Sequence, residues 1–303
     1  RLDIPAKTDG SAQFGLDVRV PGMLYAAIRQ CPVFGGTLKS FDDTAIKARK
    51  GIQGVYALPA TSMSAAALVV VADHYWPART ALAEVAIAWN EGNQAAHDTR
   101  DQRQRYRALL ADGKAREYES VGDVDTALAA PAKAVTADYF VPYLAHAAME
   151  PINCTAVVRT GETCEVWVGS QAPTLVRRVA AKASAIDSGK VTVHTPYLGG
   201  GFGRRAEMDV VMQSVLLAKQ IPHTPVQLIW SREEDIQHDV YRPMAASRFS
   251  AALDSSGNIV GWLNRIVGQS CTAGFTARLM PAAASDLLKD KTTCEGAFDL
   301  PYA

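Results

Sequence analysis

The run Gly199-Gly200-Gly201-Phe202-Gly203-Arg204-Arg205 carries the strongest chemical signal in the chain. Four glycines in five positions permit backbone angles closed to other residues and let another group approach the main chain. The run lies between a predicted strand, Val191 to Leu198, and a predicted helix, Glu207 to Gln220. Backbone N–H groups ahead of a helix point at an anion or an oxo group. Two arginines directly after the loop strengthen an anion reading, because guanidinium groups bind anions through paired hydrogen bonds. A tight connection with glycine for packing would need one glycine, not four followed by two arginines.

Two nucleotide patterns can be held against this run. A phosphate loop of the Walker type needs Lys-Ser/Thr after its last glycine, and Arg204-Arg205 stand there instead. Gly201-Phe-Gly203-Arg-Arg-Ala206 does match the Gly-x-Gly-x-x-Ala of dinucleotide folds, and Glu233 and Glu234 follow the next predicted strand, Val226 to Trp230. A nicotinamide-dinucleotide oxidoreductase is therefore a second reading. Against it, the pattern normally opens a fold, whereas here it lies two-thirds along the chain, downstream of a hairpin.

Two further clusters could do chemistry. His146 and Glu150, four apart in His-Ala-Ala-Met-Glu-Pro151, could serve as an acid–base pair or form a buried structural pair. Pro151 ends any helix there. His238 stands beside Asp239 and near Glu233, Glu234 and Asp235, without metal-ligand spacing such as His-Glu-x-x-His. This cluster reads as a loop with capping acids.

The elements that must position these residues fall into two groups, and the fold class is α+β. In the first, predicted strands are Phe14–Val20, Met23–Gln30, Gly54–Leu58, Ala67–Ala72 and Val85–Trp89, with helices over Phe41–Lys50 and Trp76–Ala83. In the second, Ala134–Val141 is a strand, and Thr155–Gly161 with Glu165–Val168 forms a hairpin turned at Gly161. Thr174–Ile186 is a helix, and Arg248–Leu253 with Ile259–Val267 forms a second hairpin. On the helix before Gln220, Met208, Val211, Val215 and Ala218 keep helical spacing. The expected organisation is residues 1–92 as a small α+β domain, 93–132 as a polar linker and 133–303 as the second domain. Within the linker, Gln102–Ala111 is a candidate exposed helix, and Arg100, Arg103, Arg105 and Arg107 read as a solvated surface.

Composition narrows the class. With 303 residues the chain is long enough for about two domains and a core needing no disulfide or metal staple. Lys plus Arg number 31 and Asp plus Glu number 31, so no cationic surplus favours nucleic acid. No apolar run reaches the roughly 18–20 residues of a membrane-spanning helix. Cys31, Cys154, Cys164, Cys271 and Cys294 include no Cys-x-x-Cys pair and read as small buried hydrophobes. Trp76, Trp89, Trp167, Trp230 and Trp262 sit in strand or helix patterns and are expected in the core. Residue 1 is Arg with no signal segment after it, and Asp299 to Ala303 end without a capped element. The chain thus reads as a piece of a longer polypeptide.

Several motifs in order resemble one family. Gly199 to Arg205 is similar to the cofactor loop of the molybdenum hydroxylases, the xanthine dehydrogenase and aldehyde oxidase family. Arg1-Leu-Asp-Ile-Pro5 and Pro21-Gly-Met-Leu-Tyr25 resemble the start of that family's α/β hammerhead domain, and Val70-Ala-Asp-His-Tyr-Trp-Pro-Ala-Arg79 resembles its end. His146-Ala-Ala-Met-Glu-Pro151, Val168-Gly-Ser-Gln171 and Trp230-Ser-Arg-Glu-Glu-Asp235 follow in the family's order. The Met-Glu-Pro and Gly-Arg-Arg variants point to the branch of isoquinoline 1-oxidoreductase large subunits and bacterial membrane-associated aldehyde dehydrogenases.

The resemblance implies a hammerhead-like domain followed by part of a molybdenum-cofactor-binding domain. It implies molybdopterin cytosine dinucleotide in the intact subunit, with the metal held by the pterin dithiolene and no protein side chain as metal ligand. By motif position, Gln171 would hydrogen-bond an oxo group through its side-chain amide, whereas taken alone it reads as a cap for the helix after Pro173. Gly201, Phe202 and Gly203 would present N–H groups to the oxo ligand, Phe202 would close the pocket, and Gly199, Gly200 and Arg204 complete the implied cofactor loop. Where the animal xanthine enzymes carry a purine-recognising glutamate, this chain has Ala206, with Glu207 one place late. The family's general-base glutamate has no counterpart between Gly203 and Ala303 and is expected beyond Ala303, so this stretch alone is expected to be inactive and cofactor-free.

The implied substrate is an aldehyde or N-heterocycle, with water as the oxygen source. The implied partners are the rest of the large subunit, a small subunit with [2Fe-2S] clusters and a cytochrome c. The branch implies a bacterial protein on the periplasmic side of the membrane. A non-catalytic interaction module on the same scaffold is a third reading.

Overall fold

The computed structural model describes residues 2–112, 115, 117 and 119–279. In chain order the strands are β1 (Leu24–Gln30), β2 (Thr37–Asp42), β3 (Ile52–Leu58), β4 (Ala67–Ala72), β5 (Ala86–Asn90), β6 (Lys133–Val141), β7 (Asn153–Arg159), β8 (Thr163–Trp167), β9 (Val191–His194), β10 (Val226–Ile229), β11 (Ala245–Leu253) and β12 (Ile259–Gly268). The helices are α1 (Ile4–Thr8), α2 (Tyr75–Glu84), α3 (Thr99–Ala111), α4 (Val124–Ala129), α5 (Pro173–Ser184), α6 (Asp209–Gln220), α7 (Arg232–Gln237) and α8 (Cys271–Leu279). They form two compact units. One comprises Arg1–Ala95 with Ala145–Val240, the other the described residues from Ala96 to Leu144 and from Tyr241 onward.

The first unit is built on a seven-stranded mixed sheet of order β3-β4-β1-β10-β7-β8-β9. β1 runs parallel to β10 and β8 parallel to β9, and the other pairs are antiparallel. Every residue of β4, Ala-Leu-Val-Val-Val-Ala, is buried. A strand covered on both faces has no need of a polar alternation. α2 packs on β1 and β4, and Ala78, Ala81 and Leu82 close a core with Ile46, Leu68 and Val70. α6 lies on β7 and α5 packs against α6. The expected apolar positions Met208, Val211, Val215 and Ala218 are all buried, and so are Gln213 and Ser214, which makes α6 an interior helix. Val211, Val215 and Leu217 each contribute on the order of 2 kcal/mol through burial.

In the second unit β12-β11-β6 form an antiparallel sheet. α3 covers one face, burying Tyr106 and Leu110 against Met244, Ala246, Phe140 and Val267. Residues 93–132, expected as a linker, thus carry α3 and α4. Arg103 lies over the Phe140 ring at 4.3 Å, while Arg100, Arg105 and Arg107 are exposed as expected. The other face carries a row of rings, Tyr139, Phe249 and Trp262, with centroids 5.6 and 5.5 Å apart.

Several local expectations change in the folded chain. Phe14–Val20 is not a strand: Gly15–Asp17 form one 3-10 turn, and the Phe14 and Leu16 amides donate to the carboxylates of Asp17 and Glu150. No helix forms over Phe41–Lys50, because Phe41 and Asp42 pair with Ile87 and Ala86 of β5 before the chain turns. β9 stops at His194, since Pro196 has no N–H for the ladder and Tyr197 donates instead to the Gln13 carbonyl. Trp230 is buried, but Trp76 and Trp262 are 66% and 54% exposed, the first beside Arg79 and the second on the open sheet face. Cys31, Cys154 and Cys164 are buried and Cys271 is exposed, while Cys294 lies outside the described residues. Burial pushes the Cys154 thiol up to about 12 and Cys164 to about 11, which keeps both as unreactive thiols.

Candidate cofactor site

The glycine loop lies wholly in the first unit, between the bridge at Tyr197 and the start of α6. Gly200 and Gly203 take φ of +104° and +98°, where a side chain is strained. Phe202 adopts φ +54° despite its side chain, and its ring is 74% exposed. Strained non-glycine residues need support from their surroundings. Here the support comes from below the loop.

Glu150 provides much of it. One carboxylate oxygen, Oε2, accepts from the Gly199 N–H at 2.8 Å and from Arg205 Nη2 at 3.1 Å. The other, Oε1, accepts from the Leu16 N–H at 3.1 Å and from Asn153 Nδ2 at 3.0 Å. The Glu150 N–H donates back to the Gly199 carbonyl at 3.1 Å. Arg205 completes the frame, donating from Nε to the Gly200 carbonyl at 3.0 Å and from Nη2 to the Glu150 carbonyl at 2.8 Å. Burial lowers the Arg205 pKa and the Glu150 charge opposes that effect. A guanidinium remains charged under both influences.

Arg204 turns into the interior. It forms two bonds to Asp209, at 3.1 and 2.6 Å, and its Nε lies 2.8 Å from Asp239 Oδ1, a contact too bent to be a hydrogen bond and therefore an ion pair. Its guanidinium stands 5.4 Å from the Trp230 ring. Burial disfavours its charge, but Asp209 and Asp239 outweigh burial and raise its pKa. The anion reading of the two arginines is thus corrected. Both are buried and paired with this chain's own carboxylates, so neither side chain is offered to a ligand.

Gln171 comes from the segment after β8. Its backbone N–H donates to the Arg205 carbonyl at 3.0 Å, and Ser170 Oγ donates to the same carbonyl at 3.1 Å. It caps no helix, since α5 begins without a side-chain cap. Its Oε1 accepts from the Gly203 N–H at 3.1 Å. A methyl group on Gly201 would lie 2.8 Å from that same oxygen, so the loop and Gln171 fit only with glycine there. The Gly203 amide expected to face a ligand is therefore turned to Gln171. The Gly201 and Phe202 amides and Gln171 Nε2 have no acceptor among the described residues. The loop thus offers two main-chain donors, on buried Gly201 and exposed Phe202, and the exposed Gln171 beside it offers one side-chain amide donor.

The dinucleotide pattern does not form its fold. Arg204–Ala206 is a single 3-10 turn, α6 begins only at Asp209, and β9 and β10 are separated in the sheet by β8 and β7. No adjacent β-α-β unit brackets the loop, and Asp209 itself occupies the first turn of α6. Glu233 pairs with Arg79, and Glu234 is held in a buried network.

His146 and Glu150 do not meet. His146 Nδ1 lies 2.9 Å from Asp239 Oδ2, while Glu150 pairs with Arg205. The acids after Trp230 form helix α7, not a loop, with Ser231 accepting from the Glu234 N–H as its cap. Arg232 on α7 pairs with Asp235 at 2.6 Å and donates to the Ala148 and Met149 carbonyls. Among the described residues no group of three or more His, Cys, Asp or Glu could hold a metal ion. Asp209, Asn153 and Leu16 were not singled out from the sequence, and Asp239 and Arg232 stood there only as members of a cluster and a motif without these roles. Two adjacent arginines before an interior helix were the available signal, because buried cations require buried carboxylates.

His238 supplies a pH test of this region. Its Nδ1 lies 3.1 Å from Glu234 Oε2, and Nε2 lies 3.1 Å from the Cys31 carbonyl. Burial lowers its pKa, but the close contact and charge of Glu234 outweigh burial and leave it raised above 6.5. A raised histidine contributes stability fully below its unfolded pKa and loses it as pH rises through the folded value. Urea midpoints should therefore fall as pH rises above 6.5, and His238→Gln should flatten that slope. An equal slope in both proteins would contradict the assignment.

The fold and the loop place the chain in a class. The profile described as "Molybdopterin cofactor-binding domain" matches residues 109–290. The chain therefore belongs to the family of molybdopterin cofactor-binding domains found in molybdenum hydroxylase large subunits. It is 31% identical to the beta chain of isoquinoline 1-oxidoreductase of Brevundimonas diminuta, over 93% of this chain and 36% of that protein. It is 33% identical to a membrane-bound aldehyde dehydrogenase [pyrroloquinoline-quinone] of Gluconacetobacter polyoxogenes, over 85% of this chain and 34% of that protein. Quinoline 2-oxidoreductase from Pseudomonas putida 86 has the same fold, with a TM-score of 0.69 at 19% identity, over 89% of this chain and 39% of that one. The chain spans about a third of the length of the curated relatives it matches.

Proposed function

We propose that this chain forms one wall of the molybdenum site in a hydroxylase that oxidises an aldehyde or an N-heterocycle with water as the oxygen source. The observation that carries this reading is the set of donors without acceptors, the Gly201 and Phe202 amides of the glycine loop and Nε2 of Gln171, which is bonded to that loop at Gly203. Such donors suit an oxo ligand, because neutral amides polarise oxygen without adding charge. When bound, the cofactor supplies two-electron oxidation at the metal. The residues of this chain hold it, and Phe202 closes the pocket. Gly199, Gly200 and Gly203 shape the loop, and Arg204 supports it from the interior.

On this reading the pterin is the cytosine dinucleotide form, and electrons leave to a small [2Fe-2S] subunit and a cytochrome c. Two relatives are themselves named as single subunits of larger enzymes, which supports a multisubunit assembly. On this reading the enzyme lies at the periplasmic face of a bacterial membrane, and the relative named as membrane-bound supports the membrane association alone. Among the described residues no helix is long and apolar enough to cross a membrane.

The test uses the full-length enzyme, an artificial electron acceptor and ¹⁸O-labelled water, with benzaldehyde and isoquinoline as substrates. One labelled oxygen in the product is expected without added nicotinamide. Gln171→Ala should lower kcat about 100-fold, as does loss of one preorganised donor at an oxygen. Turnover only with a nicotinamide nucleotide would contradict the proposal.

A further inference from the structure

The Glu150 carboxylate joins three stretches of chain that are remote in sequence. Its Oε2 holds the glycine loop through Gly199 and Arg205, and its Oε1 holds Leu16 and Asn153. The Leu16 segment is fixed from its other side as well. Gln227 Nε2 donates to the Gly15 carbonyl at 3.0 Å, and the Tyr197 N–H donates to the Gln13 carbonyl at 2.9 Å. Gly15 is buried, and a methyl group there would lie 2.4 Å from Asn153 Oδ1 and 3.0 Å from Glu150 Oε1. Asn153 is fully buried and its Oδ1 finds no donor, so this polar pocket has no slack to absorb that methyl group.

The geometry points to Glu150 as a positioning residue that sets the loop's donors, and to the turn Gly15–Leu16 as a remote part of the same device. The inference rests on the cofactor reading above. Each carboxylate oxygen already receives two donors, so any shift of Glu150 toward Leu16 withdraws it from Gly199. The Gly199 amide and Arg205 then lose their common acceptor, and the peptide that carries the Gly201 and Phe202 amides is no longer fixed. Supporting groups one layer from a metal ligand typically change affinity or activity 10- to 100-fold. The nearest neighbours of a methyl group on Gly15 are Asn153 and Glu150, not residues of the glycine loop, which makes Gly15 the sharper probe.

The experiment compares Gly15→Ala, Glu150→Asp and their double variant in the full-length enzyme. Glu150→Asp keeps the charge opposite Arg205 but is one methylene too short to reach both Leu16 and Gly199. The readouts are molybdenum content, the electron paramagnetic resonance signal of the metal, and amide exchange at Leu16 and Gly199. Each single variant should lose about tenfold in metal retention or in kcat, with a displaced resonance signal. The double variant should lose little more than the worse single one, because both act on one carboxylate. Where a variant fails to accumulate, Arg205→Lys replaces it, and faster exchange at Gly199 together with Leu16 is the expected result. Additive losses, an unchanged metal signal, or exchange that rises at Gly199 alone would overturn the inference. A wild-type enzyme without molybdenum would instead remove the cofactor reading itself.

Discussion

Arg204→Leu is expected to destabilise the chain by about 3–5 kcal/mol, the cost of leaving buried charges without a partner. The guanidinium is buried, bonded twice to Asp209 and paired with Asp239. Leucine fills part of the volume and supplies none of the donors. Asp209 and Asp239 would then face each other across a cavity with no cation between them. Asp239 would still hold His146, but Asp209 would keep only the Val210 amide. The check is a urea titration with the slope held fixed. A double variant in which Asp209 also becomes leucine should recover part of the loss, because Asp239 keeps His146 and the Arg204–Asp209 pair is replaced by apolar groups. A loss below about 1 kcal/mol for Arg204→Leu would mean that water reaches the cluster and screens it.

Gly199→Ala should cost about 3 kcal/mol, at the upper end of overpacking, and abolish cofactor retention. The added methyl would stand 2.4 Å from Glu150 Cβ. Neither partner can step aside, because the Gly199 N–H donates to the Glu150 carboxylate while its carbonyl accepts from the Glu150 N–H. Gly203→Ala is the useful contrast. No atom lies within 4 Å of its added methyl, and the penalty there comes from φ +98° alone. Thermal unfolding of both variants would separate contact from backbone strain. A Gly199→Ala protein as stable as wild type would remove Glu150 as the support of the loop.

The glycine loop, β4 and the β7–β8 hairpin were legible because their signals are local: glycine clusters, unbroken apolar runs, a glycine at φ +76° between two strands. The pairing of β1 with β10 was not legible. Leu24 stands opposite Val226, and a parallel pair so remote in sequence leaves no turn residue to mark it. The arginines show a second limit. Their chemistry was readable, but their direction was not, because Asp239 and Glu150 approach from other elements. Phe14–Val20 shows a third. Its alternation suits a strand, yet the carboxylates of Asp17 and Glu150 take the Phe14 and Leu16 amides and draw the backbone into a turn. Trp262 looked like core because its strand alternates, and alternation does not say which face is covered.

The most direct measurement is the metal and pterin content of the full-length enzyme isolated from its native host, by elemental analysis and mass spectrometry of the released pterin. One molybdenum per subunit with a pterin cytosine dinucleotide is the expected result, and loss of both in Gly199→Ala. A natively isolated, folded enzyme with neither molybdenum nor pterin would contradict it, and the donors of Gly201, Phe202 and Gln171 would then have no assigned ligand.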